Sequence, residues 1–510
     1  MGTRGHLFVV RGHLDVIQHD AALIGLDEDC WVDPRDRFLF PDGPPERPRS
    51  WPEGWGRSPG RPVWMVQSGD GSPEEVLTRM RRAVSAVAVA QLPLGGGRTR
   101  PLLAMPVLPV PTPRAGTAGA AGTAGTAGSA GSAGTAGTAG AMSPDLAPHA
   151  WLLVLLETLR KLSYEHDVDV VLVAQDPGEY AAAQWIRRDW VDLPEHLEPH
   201  AVELGVLASR GHLGVFLGTS AGCSAGAVTP GEALAEIAAA TDGVDPEDAR
   251  GLSTAELAEL VRLHDEEGGR VLLRSIVARV KRPGLVHALL AASGAHEFVT
   301  TAQDTLLERA LTEVHDDVPA VLPWSRDTAA PAWVAKTRGD LDHPRDLCLV
   351  GPDDTAPSVS LLRGLTLTRH LLVVGSHLDE PELLSALRRP DDEVPAARCG
   401  TLLDLEPEGR TASAALWGDR LEQVRVGESA DEHGAAELHR TLLLLLDRIC
   451  VHATRPDRWL LDERFSPLLA PRDQVFAGQV RALLQVLPSD TPTWTPLLRG
   501  GEEMGWLGRP

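Results

Sequence analysis

Four short stretches of this chain set small, hydroxylated or charged residues at the end of an apolar run. The first, LGVFLGTSAGCSAGAVTPGEAL (residues 213–234), leaves its apolar run through Gly218, Thr219 and Ser220 and reaches Gly226 before a helical pattern starts. Small residues at such a turn let backbone N–H groups approach an anion at a helix N-terminus, so the chemistry on offer is phosphate binding. Gly218, Gly222 and Gly226 do not have the GxGxxG spacing, however, and no lysine follows as in a P-loop. Taken alone, the stretch reads as a plain turn. The second stretch, HEFVTTAQD (296–304), ends a buried-strand pattern on Thr300 and Thr301, followed by Ala302 and Asp304. WVAKTRGDLDHP (333–344) ends another on Lys336, Thr337, Arg338 and Gly339. HLLVVGSHLDEPEL (370–383) ends a third on Gly375 and Ser376, with Asp379 opening a helix. Ligands of open α/β sheets bind outside the carboxyl ends of the strands, where all four segments are expected to fall. Asp304 and Asp379 stand where helix-capping carboxylates stand. His343 reads as a turn or surface residue, and His287 and His377 have no partner spacing that would make a metal site.

The elements that must hold these turns are legible as apolar runs alternating with helical periodicity. Strand-like segments at 6–10, 21–26, 62–67, 101–108 and 168–176 flank helices expected near 73–91 and 147–165. A second series carries helices near 231–241, 253–264, 268–280, 283–293, 304–313 and 356–367. Between them come strand-like runs at 296–301, 320–324, 332–336, 346–350, 370–375 and 400–405. This alternation implies mainly parallel, doubly wound sheets. The Ala-Gly-Thr/Ser tract at 114–142 has nothing large to bury and reads as a flexible insertion. The polar, Pro-containing stretch 191–200 is the expected boundary between two α/β domains, 1–195 and 205–455, with a helical appendage over 456–510.

At 510 residues, with 43% hydrophobic and 4% aromatic residues, Ala, Leu and Val must fill most of the core. A formal net charge of −23 without a cationic stripe argues against nucleic acid and anionic lipid as partners. The five cysteines (Cys30, Cys223, Cys348, Cys399, Cys450) are scattered and form no CxxC, as in a reduced, metal-free protein. No signal-peptide pattern and no membrane-length apolar run is present, so the expectation is a cytoplasmic protein.

In order and spacing, the four stretches resemble the bacterial sirtuin-like family, which includes NAD-consuming proteins of anti-phage defence. The resemblance covers roughly 205–450, about half of the chain. The family pattern is Gly-Ala-Gly-x-Ser, Thr-Asn-Tyr-Asp, Leu-His-Gly and Val-Gly-x-Ser with an aspartate following. It implies a Rossmann-type sheet and a pocket for NAD or ADP-ribose lined by Gly218, Thr219, Ser220, Gly226, Thr300, Thr301, Asp304, Arg338, Gly375 and Ser376. This chain departs from the pattern where the family does its chemistry. Ser220 replaces the second glycine, Gly222 the serine, Ala302 the asparagine and Arg338 the histidine. An arginine stays protonated and cannot act as a base, and its charge would oppose the cation that forms when the nicotinamide–ribose bond breaks. The N-terminal half resembles the macrodomains more faintly, through FVVRGHLDVIQHDAALIGLDED (8–29), PLLAMPVLPVPTP (101–113) and VDVVLVAQDPGEYAAAQ (168–184), with His13 in place of the family's aspartate.

These resemblances imply a catalytically impaired NAD or ADP-ribose pocket protein in bacterial stress or defence. Two alternatives stand beside it: an active NAD glycohydrolase with rearranged catalytic groups, and a ligand-free scaffold for a protein partner.

Overall fold

The structure is a computed structural model that describes residues 4–27, 32–41, 43, 53–69, 71–111, 146–245, 249, 251–325, 327–349, 357–376, 380–387, 398–405, 420–427, 434–487 and 494–506. Cys30, the 114–142 tract, His377 and Asp379 lie outside these residues.

Alternate side chains of the N-terminal apolar runs face opposite cores, which is what a strand covered on both faces requires. Six strands form: β1 (Leu7–Arg11), β2 (Ala21–Leu26), β3 (Trp55–Arg57), β4 (Val63–Gln67), β5 (Leu102–Pro106) and β6 (Asp169–Ala174). Their order is β1-β6-β5-β2-β4-β3, parallel except where β3 returns antiparallel to β4. Leu7 and Val9 of β1 point to the core made with helices α1 (Pro73–Val89), α2 (Pro148–His166) and α3 (Pro177–Ile186). Phe8 and Val10 point the other way, into a second core. Helix α1 begins where a capping box predicts it, with Ser72 and Glu75 exchanging side-chain and backbone bonds and Pro73 at its start.

The second sheet has seven parallel strands: β7 (Leu213–Leu217), β8 (Glu297–Thr300), β9 (Ala320–Leu322), β10 (Trp333–Lys336), β11 (His370–Val374), β12 (Gly400–Asp404) and β13 (Leu421–Arg425). Their order is β13-β12-β11-β7-β8-β10-β9. The chain therefore builds outward from β7 in one direction and then crosses to β11 on its other side. That reversal is the crevice where doubly wound sheets take ligands.

Helices α4 (Glu198–Ser209), α5 (Pro230–Ala240), α6 (Thr254–Val277), α7 (Leu285–Ala292) and α8 (Leu306–His315) come before the crossing. Helices α9 (Pro357–Thr368), α10 (Pro381–Leu387), α11 (Gly434–Ala453), α12 (Pro471–Val486) and α13 (Thr495–Glu503) come after its start. α4, α7, α8 and α11 share one core with Phe8, Val10 and Ile24 of the first sheet and Val215, Leu217 and Val374 of the second. The two sheets thus sandwich a common helical layer. α9 and α10 cover the outer face of the second sheet, and α5 and α6 form a separate helical pair. Trp459, Phe465 and Leu484, beyond α11, pack back among the helices of the first sheet.

Two expectations need correction, and one pair of helices holds. Residues 195–209 form a short 3-10 turn and then α4, because Leu197, Ala201, Leu204 and Ala208 make a buried stripe at helical spacing. The two helices expected at 253–264 and 268–280 do form within α6, separated at Asp265, whose backbone is non-helical (φ −158°, ψ 85°) and whose carboxylate accepts from Gly268 N–H to cap the second. No strand forms within 346–349. Residues Pro344–Asp346 make a 3-10 turn, and Cys348 N–H bonds Arg338 O in a loop.

Candidate functional site

At the carboxyl ends of β7, β8 and β10 the three chains are laced by threonines. Thr300 Oγ1 donates to Leu217 O at 2.8 Å and accepts from Ala302 N–H at 3.0 Å. Thr301 N–H donates to Leu217 O, while its Oγ1 accepts from Thr219 N–H at 3.2 Å. Thr337 N–H and Oγ1 both donate to Thr300 O. These side chains are buried and their polar atoms engaged, so they fix the rim and leave it rigid.

The glycines of β7 and β11 serve close approach. A Cβ on Gly218 would sit 2.1 Å from Gly375 O, and one on Gly375, whose φ is +63°, would sit 2.7 Å from Ala221 N. The amides that a phosphate would need are already engaged. Gly218 N–H donates to Val374 O, Ser220 N–H to Gly375 O and Ala221 N–H to Gly218 O. With Thr219 N–H on Thr301, four successive donors of the turn are closed on neighbouring chain. Gly226, with φ +89°, ends the 3-10 turn Thr219–Ala225. The opening turn is therefore a packing device between two strands.

A cleft of about 780 Å³, counting its open mouth, lies over this edge. Of the residues singled out in the sequence, Thr219, Thr301, Ala302, Asp304 and Arg338 line it. Gly218, Ser220, Gly226, Thr300, Gly375 and Ser376 stand in the supporting turns instead. The wall opposite is apolar, contributed by α5, α6 and the loop beyond: Leu234, Leu273, Ile276, Val277, Val280 and Leu349. Gln303 and Cys348 complete the polar side, with Gln303 Nε2 donating to Arg338 O and Cys348 O.

Arg338 does not project a bare charge into this space. Nε and Nη2 form a two-pronged pair with the fully buried carboxylate of Glu382 at 2.6 and 2.9 Å, and Glu380 Oε2 stands 3.7 Å from Nη2. Burial acts to lower the Arg338 pKa, but these two carboxylates outweigh it and leave it raised. Burial lifts Glu380, tempered by Arg338 and by hydroxyls of Thr301 and Ser376. The expected repulsion of a sugar cation by Arg338 is thus largely compensated, while the inability of arginine to take a proton is unchanged.

Beneath the rim lies Lys336, 4% exposed, with Glu308 Oε1 at 2.7 Å, Asp340 Oδ2 at 3.2 Å and the carbonyls of Ala302 and Asp304 around its ammonium. Burial acts to lower its pKa, yet Glu308, Asp304 and Asp340 outweigh that and hold it raised. Asp304 Oδ1 accepts from Leu306 N–H, the capping role its position suggests. His287 is buried, takes Gly284 N–H on Nδ1 and is held neutral by burial. Lys336, Glu380 and Glu382 were present in the quoted stretches, but their pairing with Glu308 of α8 and with Arg338 joins distant parts of the chain and left no signal; only Asp340, four residues after Lys336, was near in sequence.

In the N-terminal half, Gly12 closes β1 by donating to Ala174 O, and His13 faces Glu313 of α8 at 3.9 Å. The segment after β1 is therefore packed against the second half. The loop after β5 leaves the described residues at 112. Among the described residues one group, His200, Glu203 and Glu422, brings possible metal-ligand atoms within 4.8 Å of one another. Glu422 begins on the amino side of β13, away from the cleft, and is ion-paired with Arg398 at 2.9 Å. Among the described residues no helix is long and apolar enough to cross a membrane.

No protein-family model matches the chain, and no characterised protein matches it significantly in sequence.

Proposed function

We propose that this protein binds an NAD-derived ligand in the cleft over β7, β8 and β10 without cleaving it, as a sensor or pseudoenzyme of the sirtuin-like type. The observation that carries the reading is the placement of Ala302 and Arg338 on one cleft at the carboxyl ends of β7, β8 and β10, to one side of the β7/β11 switch point of a parallel sheet. Those are the two positions where the resemblance calls for a positioning amide and a base. Alanine offers neither donor nor acceptor, and arginine offers no lone pair at a workable pH. Among the described lining residues there is no imidazole, and the one carboxylate, Asp304, is engaged on one oxygen as a helix cap.

The test is calorimetric titration of the full chain with NAD, followed by assay for released nicotinamide. Saturable heat without turnover is expected. The double variant Ala302→Asn, Arg338→His should then release nicotinamide at least about 10²-fold faster than the parent. Sustained turnover by the parent would overturn the proposal in favour of an active glycohydrolase. Absence of any heat would remove the ligand altogether and favour a scaffold.

A further inference from the structure

We infer that the cleft recognises an unphosphorylated nucleoside, preferentially one with a cationic base, and that phosphate groups weaken binding there. This rests on reading the cleft as the ligand site, and it narrows what that ligand is. Three independent features converge on it.

The first is the turn itself. A pyrophosphate at a strand-to-helix turn is held by free amides, and here the N–H groups of residues 218–221 all donate to chain or to Thr301 Oγ1. A phosphate would have to displace bonds that hold β7 against β11 and β8.

The second is the guanidinium. Arg338 is the only cation among the described lining residues. One edge of its fork, Nε and Nη2, is filled by Glu382, and Glu380 stands 3.7 Å from the same Nη2. The Nε/Nη2 edge that would give phosphate a planar two-pronged grip is therefore occupied by carboxylate.

The third is the charge of the floor. Two cations, Lys336 and Arg338, stand among five carboxylates: Asp304, Glu308, Asp340, Glu380 and Glu382. Even with some of these protonated, the field in the cleft favours positive over negative ligands, and low-dielectric walls strengthen it. Asp304 is the one acid that reaches the cleft. Across from it, the apolar wall of Leu234, Leu273, Ile276 and Val277 suits the flat face of a base.

The experiment is calorimetry on the full chain with four probes: nicotinamide riboside (cationic base, no phosphate), adenosine (neutral, no phosphate), ADP-ribose and NAD. Nicotinamide riboside should bind about tenfold or more tightly than ADP-ribose, with adenosine between them. Asp304→Asn keeps a good cap and removes the charge, so it should shrink that gap severalfold. Equal or tighter binding of ADP-ribose or NAD would overturn this inference and leave the ligand site intact. A gap unchanged in Asp304→Asn would overturn the electrostatic cause. Binding by none of the four would remove the ligand site and the inference together.

Discussion

Single residues in this protein are held by burial more than by exposed charge. His439 shows the consequence most plainly. It sits on α11 in the cavity between the halves with Nε2 buried and unbonded. Burial, helped by Arg98, pushes its pKa down to about 4. The folded imidazole stays neutral while the unfolded one titrates near its ordinary value, so the unfolded state takes up a proton first as pH falls. Stability is then fully present above pH 6.5 and is lost progressively between 6.5 and about 4, by up to about 3 kcal/mol for this one group. Chemical denaturation of His439→Leu against the parent at pH 7.5 and 4.5 reads it directly: the variant's loss on acidification should be the smaller. The same scale explains what the sequence could not disclose about the site. Arg338 was legible as a missing base, because residue type alone forbids proton uptake. Its neutralisation was not, because Glu382 lies 44 residues away on another element and pairing of that kind is set only by the fold.

At the scale of elements, the turns after β7 and β11 meet backbone to backbone. Gly218→Ala places a methyl 2.1 Å from Gly375 O, where only backbone could yield, so it should cost upwards of about 3 kcal/mol or abolish soluble expression. Gly226→Ala has open space around its Cβ and only the φ of +89° against it, so about 1 kcal/mol is expected. Urea unfolding of both variants separates steric exclusion from backbone strain. Strands were the most legible elements, because runs such as VDVVLVA and HLLVV are apolar on both faces and end at glycine or polar residues. α4 was hidden because Glu, Pro and His fill its exposed side, and so few large apolar residues mark its buried stripe. The 346–350 segment misled in the opposite direction. Its apolar residues Leu347 and Leu349 serve a loop, Leu349 facing the cleft. β13 escaped notice because its sequence, LEQVR, has only two apolar residues to offer an edge strand.

The two halves meet across a shared helical layer, and one of its helices carries several buried ion pairs. α11 ties both halves with buried ion pairs: Arg440 to Asp169 of β6, Asp447 to Arg187 and His6, and Arg448 to Glu198 of α4. Breaking such a pair from one side leaves an uncompensated charge and typically costs about 3–5 kcal/mol. The segment 205–455 expressed alone should therefore be molten or insoluble. Near-ultraviolet circular dichroism of that fragment beside the full chain tests this, and a native-like spectrum would contradict the shared core. The position of α11 in the sequence has a further bearing, on synthesis. The first sheet is complete at Ala174, but the last helix of the layer on its inner face starts at Gly434, roughly 260 residues later, which at about 5–20 residues per second is about 13–50 s of translation. Through that interval the layer over Phe8, Val10 and Ile24 is incomplete, so the nascent chain carries a partly open apolar face until α11 is made.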